Sequence, residues 1–311
     1  MKVIAWDGNP ISKPGIYSGV PISVYHSGRL CVGPSISSSG LRTIFSESEA
    51  HFWDKCPLNP DAEPMEETGS LVLGRATHHL LLGEANFVQE FALRPSTYPD
   101  DPKKPWSGNS KECKGWLADQ RKAGKTVVTP EQMEKIKGMA LRLGREPLVR
   151  AGALNGLIEC TMAVLDEETG VWLLARPDVI PTDSGDYVDL KTTTSVLYPD
   201  LVRTIGDYGY HQQGALVEEC HEILTGQPVG SFSLYFVETT RPYCARLVQL
   251  KSGDLQLGRQ QNRNALRRFA RALSNNVWAG PGGNQDSVQA IEINDFARKS
   301  AEAKLKFEQV F

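Results

Sequence analysis

The stretch that most constrains the fold is residues 171–191, which predicts two neighbouring β-strands joined by a turn. Residues 171–175 are the apolar run Val-Trp-Leu-Leu-Ala, which is typical of a buried strand. Residues 182–186 read Thr-Asp-Ser-Gly-Asp, a composition that favours a turn. Residues 187–191 then alternate between apolar and charged side chains, as expected for a second strand that pairs with the first.

The two predicted strands carry charged residues that could meet at one point. In a strand, Asp189 and Lys191 share one face while Val188 and Leu190 share the other. Asp178 lies a short turn upstream. Two carboxylates suit Mg²⁺ or Mn²⁺, and a neighbouring ammonium could steady a phosphate or an attacking water. This combination favours the cleavage of a phosphodiester bond.

The acid-X-Lys spacing alone does not decide the function. It also occurs at residues 101–103, 112–114 and 302–304. Only the triplet at 189–191 lies in an apolar strand with a Pro-Asp pair upstream. A surface salt bridge at the edge of a hairpin therefore remains an open alternative at this point.

Composition narrows the class of protein. The chain has 311 residues, of which 40% are hydrophobic and 23% charged, with a net charge of -3. This excludes a generally basic nucleic-acid binder, so any contact with DNA must come from local patches. No apolar run could span a membrane, and no signal-peptide pattern opens the sequence. The six cysteines form no Cys-X-X-Cys pair, which argues against zinc or iron–sulfur sites and fits a cytoplasmic protein.

The order of predicted elements indicates an α/β fold with a central mixed sheet flanked by helices. Residues 1–34 are expected to form an irregular lead-in, and residues 35–311 a single domain. Strands are predicted near residues 157–164, 171–180, 186–191, 231–238 and 244–250. Helices are predicted after the N-caps at 37–39, near 71–82, after the capping box at 129–132, and near 208–224, 254–274 and 294–309.

Three further residues could join the site. His78 follows Gly74 by one helical turn and could bind a metal, or could be an ordinary hydrogen-bonded interior histidine. Glu159 begins a predicted strand and could be either a ligand or a surface acid. Gln213 lies on the same inward stripe as Tyr210, where a buried amide needs partners. It could reach a phosphate, a water or the carboxylates, or simply tether its helix to the sheet.

One predicted helix carries a basic stripe. The stripe consists of Arg259, Arg263, Arg267 and Arg271, and no acidic residue lies between 256 and 274. A charge run is usually a solvated face, but the missing acids favour phosphate tracking or a subunit contact. The lysine-rich segment 103–125, with interleaved tryptophans, is a second candidate for either role.

Four motifs, in this order, resemble the C-terminal nuclease domain of RecE-type exonuclease VIII. They are Gly-X-Ala-X-His-X-Leu-Leu-Leu at 74–82, Arg-Pro-Asp at 176–178, Asp-Leu-Lys-Thr-Thr at 189–193 and Tyr-His-X-Gln-X-Ala at 210–215. The opening Ile-Ser-Ser-Ser-Gly-Leu at 36–41 is similar to that of phage-encoded members. The resemblance runs from about residue 35 to 224 and places the chain in the PD-(D/E)XK nuclease superfamily.

The resemblance implies a PD-(D/E)XK core and roles for particular residues. The implied ligands of one or two Mg²⁺ ions, for which Mn²⁺ can substitute, are His78, Asp178, Asp189, the carbonyl of Leu190 and, more weakly, Glu159. Lys191 matches the catalytic lysine and Gln213 the glutamine of the downstream helix. His79 is the less favoured alternative to His78.

The resemblance also implies a function. The family degrades one strand of duplex DNA from the 5′ end, with Mg²⁺, and leaves 3′ tails for an annealing protein in phage recombination. It acts as a ring-shaped homo-oligomer, here with a tetramer favoured, and the Arg stripe and Tyr210 would contact DNA. Two alternatives stay open, a RecB-like or Cas4-like nuclease of different polarity and a non-catalytic DNA-binding member.

Overall fold

The computed structural model describes residues 2–63, 68–83, 87–182, 184–283, 288 and 290–308. The strands are β1 (Val3–Ala5), β2 (Gly15–Ser18), β3 (Ser35–Ser37), β4 (Phe91–Leu93), β5 (Thr97–Tyr98), β6 (Asp101–Pro105), β7 (Thr126–Val128), β8 (Leu157–Ile158), β9 (Thr161–Leu165), β10 (Trp172–Ala175), β11 (Val179–Ile180), β12 (Asp186–Thr193), β13 (Ser231–Glu238) and β14 (Ala245–Gln249). The helices are α1 (Ile22–Tyr25), α2 (Ser38–Ser46), α3 (Glu49–Asp54), α4 (Gly69–Leu81), α5 (Phe87–Glu90), α6 (Lys111–Lys122), α7 (Pro130–Leu143), α8 (Pro147–Arg150), α9 (Tyr198–Asp207), α10 (Tyr210–Thr225), α11 (Ser252–Asn275) and α12 (Asp295–Glu308).

The strands form mixed sheets with helices around them, which confirms the predicted α/β class. A five-stranded sheet has the order β1-β2-β9-β10-β3, a three-stranded sheet the order β12-β13-β14, and β8 pairs with β11. Strands β12 and β13 run parallel over eight residue pairs, whereas β9 and β10 are antiparallel. No helix in the described part of the chain is long and apolar enough to cross a membrane.

The three-stranded sheet is covered on both faces. Phe232 and Phe236 of β13 belong to the core cluster that contains Leu216 of α10 and Leu266 of α11. The alternate residue Tyr235 belongs to a second cluster, which includes Met139 of α7 and Ala76 of α4. Burial on both faces explains why β13 reads as a nearly continuous hydrophobic run. The same alternation in β12 directs Asp189 toward α10 and Leu190 toward α4.

The predicted pairing between the 171–180 and 186–191 strands is wrong. The partner of β12 is β13, and the first strand is interrupted between β10 and β11 at residues 176–178. Pro177 lies at this break and has no N–H for a strand ladder. Asp178 nevertheless connects the two segments, because its Oδ2 accepts a hydrogen bond of 2.6 Å from the N–H of Leu190.

Other segments also differ from the sequence-based expectations. The lead-in, expected to be irregular, supplies β1 and β2, and β2 pairs with β9. The sequence pattern did not predict α6 or α9. The capping box at Thr129 is confirmed. The Thr129 side chain accepts a hydrogen bond from the N–H of Gln132, and the Gln132 side chain accepts one from the N–H of Thr129. The single domain over residues 35–311 stays a prediction.

The Arg stripe on α11 does have acidic partners, in other elements. Arg263 contacts Asp166, at the end of β9, at 2.5 Å and Glu219 of α10 at 2.8 Å. Arg259 lies 3.0 Å from Glu222, and Arg267 lies 2.6 Å from Glu168. These partners are distant in the sequence, so the composition of α11 alone could not indicate them. Three of the four arginines therefore have carboxylates beside them, so the lack of acidic partners that favoured phosphate tracking does not hold for Arg259, Arg263 and Arg267.

We expect Arg263→Ala to lower the free energy of unfolding without changing affinity for DNA. Arg263 is 28% exposed and its partners Asp166 and Glu219 are 8% and 13% exposed. Removing the guanidinium deprives both of these largely buried carboxylates of their ion-pair partner. The cost lies between that of an exposed and a buried ion pair, about 2 kcal/mol. Urea denaturation would measure it. Arg267→Ala is the matched control, with a much smaller loss expected because that pair is exposed.

Candidate active site

Asp178 is the residue around which the site is arranged. It lies between β10 and β11 and is 6% exposed. Its Oδ1 is 3.1 Å from Nδ1 of His78, which is on α4, and its Oδ2 accepts from the N–H of Leu190. Its backbone carbonyl accepts from the N–H of Glu159 at 3.1 Å. The residue is therefore held from three separate parts of the chain, with two contacts to its carboxylate and one to its backbone carbonyl.

Three of the predicted ligands come together at this point. One ligand atom each from His78, Glu159 and Asp178 lies within 4.8 Å of the other two. An imidazole nitrogen and two carboxylate oxygens form a donor set that suits Mg²⁺ or Mn²⁺. Bringing two acids this close is unfavourable when both are charged, and a bound cation would relieve that repulsion. The residues therefore fit a divalent metal ion.

The position of Glu159 depends on an unusual backbone and on one arginine. Glu159 has φ 50°, in the left-handed region that costs a non-glycine residue roughly 1 kcal/mol. Its carboxylate lies 2.5 Å from Nε of Arg176, and the same guanidinium donates to the carbonyl of Val20 at 2.7 Å. Burial and the Asp178 carboxylate raise the pKa of Glu159, although Arg176 opposes this shift. Arg176 thus orients Glu159 beside Asp178.

A second group of predicted site residues surrounds Asp189. Its side chain is 1% exposed, with Nζ of Lys191 in contact with Oδ2. Nε2 of Gln213, on α10, donates to Oδ1 at 3.1 Å. Nζ of Lys191 also lies 5.0 Å from the centroid of the Tyr210 ring. Protein donors thus engage both oxygens of Asp189, which lies outside the cluster of mutually close ligand atoms around Asp178.

The charges of the site stabilise one another despite burial. Burial disfavours the Lys191 ammonium, but Asp189 and Asp178 outweigh it and raise the pKa of Lys191. Burial also opposes a charged His78, yet the Asp178 carboxylate raises the pKa of that imidazole. For Asp178, burial is outweighed by His78, Lys191 and the Leu190 N–H, so its pKa is lowered. Burial and the Asp178 carboxylate raise the pKa of Asp189, although the Lys191 ammonium partly lowers it.

The site opens onto a groove with a cavity volume of about 1090 Å³. His78, Glu159 and Arg176 line it together with Tyr208 and Tyr210. The two tyrosine rings stack at 5.6 Å with an interplanar angle of 14°. Asp178 is therefore buried, whereas His78 and Glu159 are partly exposed along the groove, where an extended molecule could reach them.

Gly209 sets the positions of the two tyrosines. It adopts φ 61° between α9 and α10, and a Cβ there would approach the Arg42 side chain to 2.9 Å. The Arg42 guanidinium donates to the carbonyl of Tyr208 at 2.5 Å. The sequence motifs predicted Tyr210 as a site residue, but they did not indicate a role for Arg42, Tyr208 or Arg176. Only Arg176 had a local signal, two residues before Asp178.

Two predicted positions lie apart from the site. His79, the alternative to His78, is buried against the rings of Phe87 and Phe91, at centroid distances of 5.6 and 5.5 Å. The Arg stripe lies along α11 and is paired with acids as described above. The carbonyl of Leu190 stays a predicted ligand, whereas its N–H is the group that contacts Asp178.

The arrangement of the site can be compared with known proteins. The model of the family described as PDDEXK-like domain of unknown function (DUF3799) matches residues 37–290. The chain belongs to this family. The match covers most of the chain, from β3 to the segment after α11. It therefore agrees with the PD-(D/E)XK fold that the sequence motifs predicted. The narrower resemblance to RecE-type nucleases remains a proposal. No curated protein matches the chain.

One solved structure supports the fold. A crystal structure of a candidate exonuclease from Eubacterium rectale matches with a TM-score of 0.55 and 16% identity, over 84% of this chain and 91% of the other. A phage-related exonuclease from Haemophilus somnus 129PT matches with a TM-score of 0.31 and 10% identity, over 65% of this chain and 95% of the other. At these identities the first likeness concerns the fold alone, and the second is too distant to support any argument.

Proposed function

We propose that this PDDEXK-like protein is a divalent-metal-dependent deoxyribonuclease. The observation that carries the proposal is the convergence of His78, Glu159 and Asp178 within 4.8 Å, beside the buried Lys191–Asp189 pair and at the wall of an open groove. Three ligands and a separate fixed cation are the groups that hydrolysis of a phosphodiester needs. A salt bridge at a hairpin edge would be exposed, whereas the side chains of Asp189 and Lys191 are 1% and 14% exposed.

Each residue has a role that follows from its contacts. His78, Glu159 and Asp178 would hold the metal, which lowers the pKa of water and offsets the negative charge of the phosphate when bound. Lys191, held by Asp189 and by the Tyr210 ring, presents a fixed positive charge to the phosphoryl oxygens. Such a preorganised charge stabilises the transition state without reorganisation.

The reaction that these roles support is hydrolysis at phosphorus. Water oxygen forms a bond to phosphorus as the bond from phosphorus to the 3′ oxygen breaks, and the 3′ oxygen takes a proton. The products are a 5′-phosphate and a 3′-hydroxyl. The RecE-like motifs support a finer proposal, an exonuclease that degrades duplex DNA from 5′ to 3′. Its 3′ tails would pass to a single-strand annealing protein in phage recombination.

The test of the proposed function is cleavage of linear duplex DNA labelled at one 5′ or 3′ end. We expect labelled 5′ nucleotides to appear first, only with Mg²⁺ or Mn²⁺, with 5′-phosphate and 5′-hydroxyl substrates compared in parallel. Release from 3′ ends, or a preference for single strands, would indicate the RecB-like or Cas4-like alternative. Binding without any cleavage would leave a non-catalytic DNA-binding protein.

Metal binding can be tested without DNA. We expect Mg²⁺ to raise the melting temperature of the wild type, since a ligand at 100 times its Kd stabilises the fold by about 2.7 kcal/mol. Glu159→Gln should reduce this shift because it removes one anionic ligand. Glu131→Gln, at an exposed acid on α7, is the matched control and should keep the full shift. Equal shifts in all three proteins would contradict the proposed ligand set.

We also propose a ring-shaped homo-oligomer, with a tetramer favoured. Its support is the RecE-like motifs, because the paired Arg stripe no longer suggests a subunit contact. A closed ring would hold DNA topologically and would need little positive charge, which fits a net charge of -3. Light scattering that shows a monomer at micromolar concentration, together with distributive digestion, would contradict the ring while leaving the cleavage chemistry intact.

A further inference from the structure

Positive charge is concentrated in the segment between β4 and β7, residues 94–125, which we call the basic insertion. It contains eight basic and four acidic residues, a net charge of +4 in a chain of net charge -3, so the rest of the chain carries -7. Its basic residues are Arg94, Lys103, Lys104, Lys111, Lys114, Arg121, Lys122 and Lys125. A protein that is acidic elsewhere therefore has one region suited to an anionic partner.

Helix α6 gathers four of these charges on one face. At 100° per residue, Lys111, Lys114, Arg121 and Lys122 fall within an arc of about 100°, and all four are exposed. The acidic residues Glu112 and Asp119 lie together on a neighbouring flank of the helix. The helix therefore presents a contiguous positive face, rather than alternating charges.

The opposite face of α6 anchors the helix. Cys113 is fully buried, and the Trp116 ring packs edge-on against that of Trp106 at 5.7 Å. The side chain of Ser110 caps the first turn by accepting from the N–H of Cys113 at 3.1 Å. Packing and capping fix which face points outward, so the positive face has a defined orientation.

The charges of the α6 face are not compensated within the molecule. Among the residues that the structure describes, no carboxylate lies within 4.0 Å of Lys111, Lys114, Arg121 or Lys122. By contrast, Arg259, Arg263 and Arg267 of α11 all have such partners. Three of the four arginines that looked unpaired in the sequence are paired in the fold, whereas the positive face of α6 is available to an external anion.

The basic insertion begins at the groove of the candidate site. Phe91 lies in β4, directly before the insertion, and Thr129 directly follows β7. Both residues line the same groove as His78 and Glu159. Strands β4 and β7 pair in parallel, so the insertion is anchored by both of its flanking strands beside the groove.

We propose that the positive face of α6 binds the sugar–phosphate backbone of duplex DNA outside the cleavage site. The inference rests on the proposed function for the identity of the anion. Lys111 and Lys122 are separated by about 16 Å along the helix axis, and each DNA strand presents one phosphate per 3.4 Å or so of duplex axis. The face thus spans roughly five phosphates. It holds the uncut duplex while the metal ligands and Lys191 engage the end.

The test measures how salt affects DNA affinity. The variant is Lys111→Gln/Lys114→Gln/Lys122→Gln, and the matched control is Lys299→Gln/Lys304→Gln/Lys306→Gln, in the exposed helix α12. Both variants lose three positive charges. Fluorescence anisotropy with a labelled blunt duplex, in EDTA to prevent cleavage, gives Kd across a salt series. Each lost phosphate contact lowers the slope of log K against log salt by about 0.9.

We expect the α6 variant to lose between two and three units of slope and at least tenfold in affinity near 0.1 M salt. The α12 control should resemble the wild type, and replacement of the same three α6 lysines by arginine should preserve binding. An unchanged slope, an equal loss in the α12 control, or no duplex binding by the wild type would each overturn the inference. Melting temperatures verify that the variants fold.

The outcomes separate this inference from the proposed function. If the wild type cuts duplex DNA with Mg²⁺ but the α6 variant binds normally, the backbone-binding face is wrong and the nuclease stands. If the α6 variant loses salt-dependent binding but no protein cuts DNA, the face stands and the nuclease is wrong. In the expected case, the α6 variant has a raised KM and an unchanged kcat, because the face contacts DNA away from the reacting atoms.

Discussion

Replacement of Asp178 by asparagine is expected to reduce cleavage by at least about a thousandfold, since metal coordination contributes several kcal/mol and each 1.36 kcal/mol is tenfold in rate. Asparagine keeps the shape of the side chain but removes the negative charge that a metal needs. Asp178 contacts both His78 and the Leu190 N–H, so its loss also frees the imidazole. End-labelled duplex and Mg²⁺ measure the rate.

The same substitution should change the free energy of unfolding only slightly, because two effects oppose each other. Removing the Asp178 charge relieves its repulsion of Glu159, but it also withdraws the counter-charge that faces His78 and Lys191. Asp186→Asn is the matched control, because Asp186 is at the exposed start of β12. It should cut at the wild-type rate. Ca²⁺ should bind without supporting turnover, and full activity in EDTA would refute the metal-dependent mechanism.

Replacement of Lys191 by alanine is expected to slow cleavage by at least about 100-fold, the usual effect of removing one preorganised electrostatic group. The ammonium is held by Asp189 and faces the Tyr210 ring, so no other described cation takes its place in those contacts. Binding of duplex DNA in Ca²⁺ should persist, because Lys191 is one charge among many. Single-turnover cleavage and anisotropy give the two quantities.

Gln213→Ala separates catalysis from structure at the same site. Gln213 donates to Asp189, so its loss should give a milder reduction in rate than Lys191→Ala. A protein that fails to fold would instead indicate that the amide chiefly tethers α10 to β12. Wild-type cleavage by Lys191→Ala would show that the Asp-X-Lys triplet is a structural ion pair.

Local sequence patterns determined the elements that carry the site. The alternation of residues 187–191 depends only on strand geometry, and β12 directs Asp189 and Lys191 to one face as that geometry requires. The capping box at Thr129 and the periodicity of α4, α10 and α11 are equally local signals. Pairing was harder to predict. Both β10 and β13 are apolar, and nothing in residues 186–191 distinguishes a hairpin partner from a parallel strand 45 positions later.

The sequence by itself determined the residue types of the site, the helices and strands that hold them, and the superfamily that the motifs resemble. Tertiary structure decided which of those residues meet. His78 and Asp178 are 100 positions apart in the sequence. Arg176 contacts Glu159, whose positive φ was not predictable from the sequence pattern. Tertiary structure also decided which basic region is free to bind an anion. Three arginines of α11 pair with distant acids, whereas the lysines of α6 stay exposed. The physical reason is that periodicity and capping act within a few residues, whereas ion pairing and metal ligation depend on distance in space.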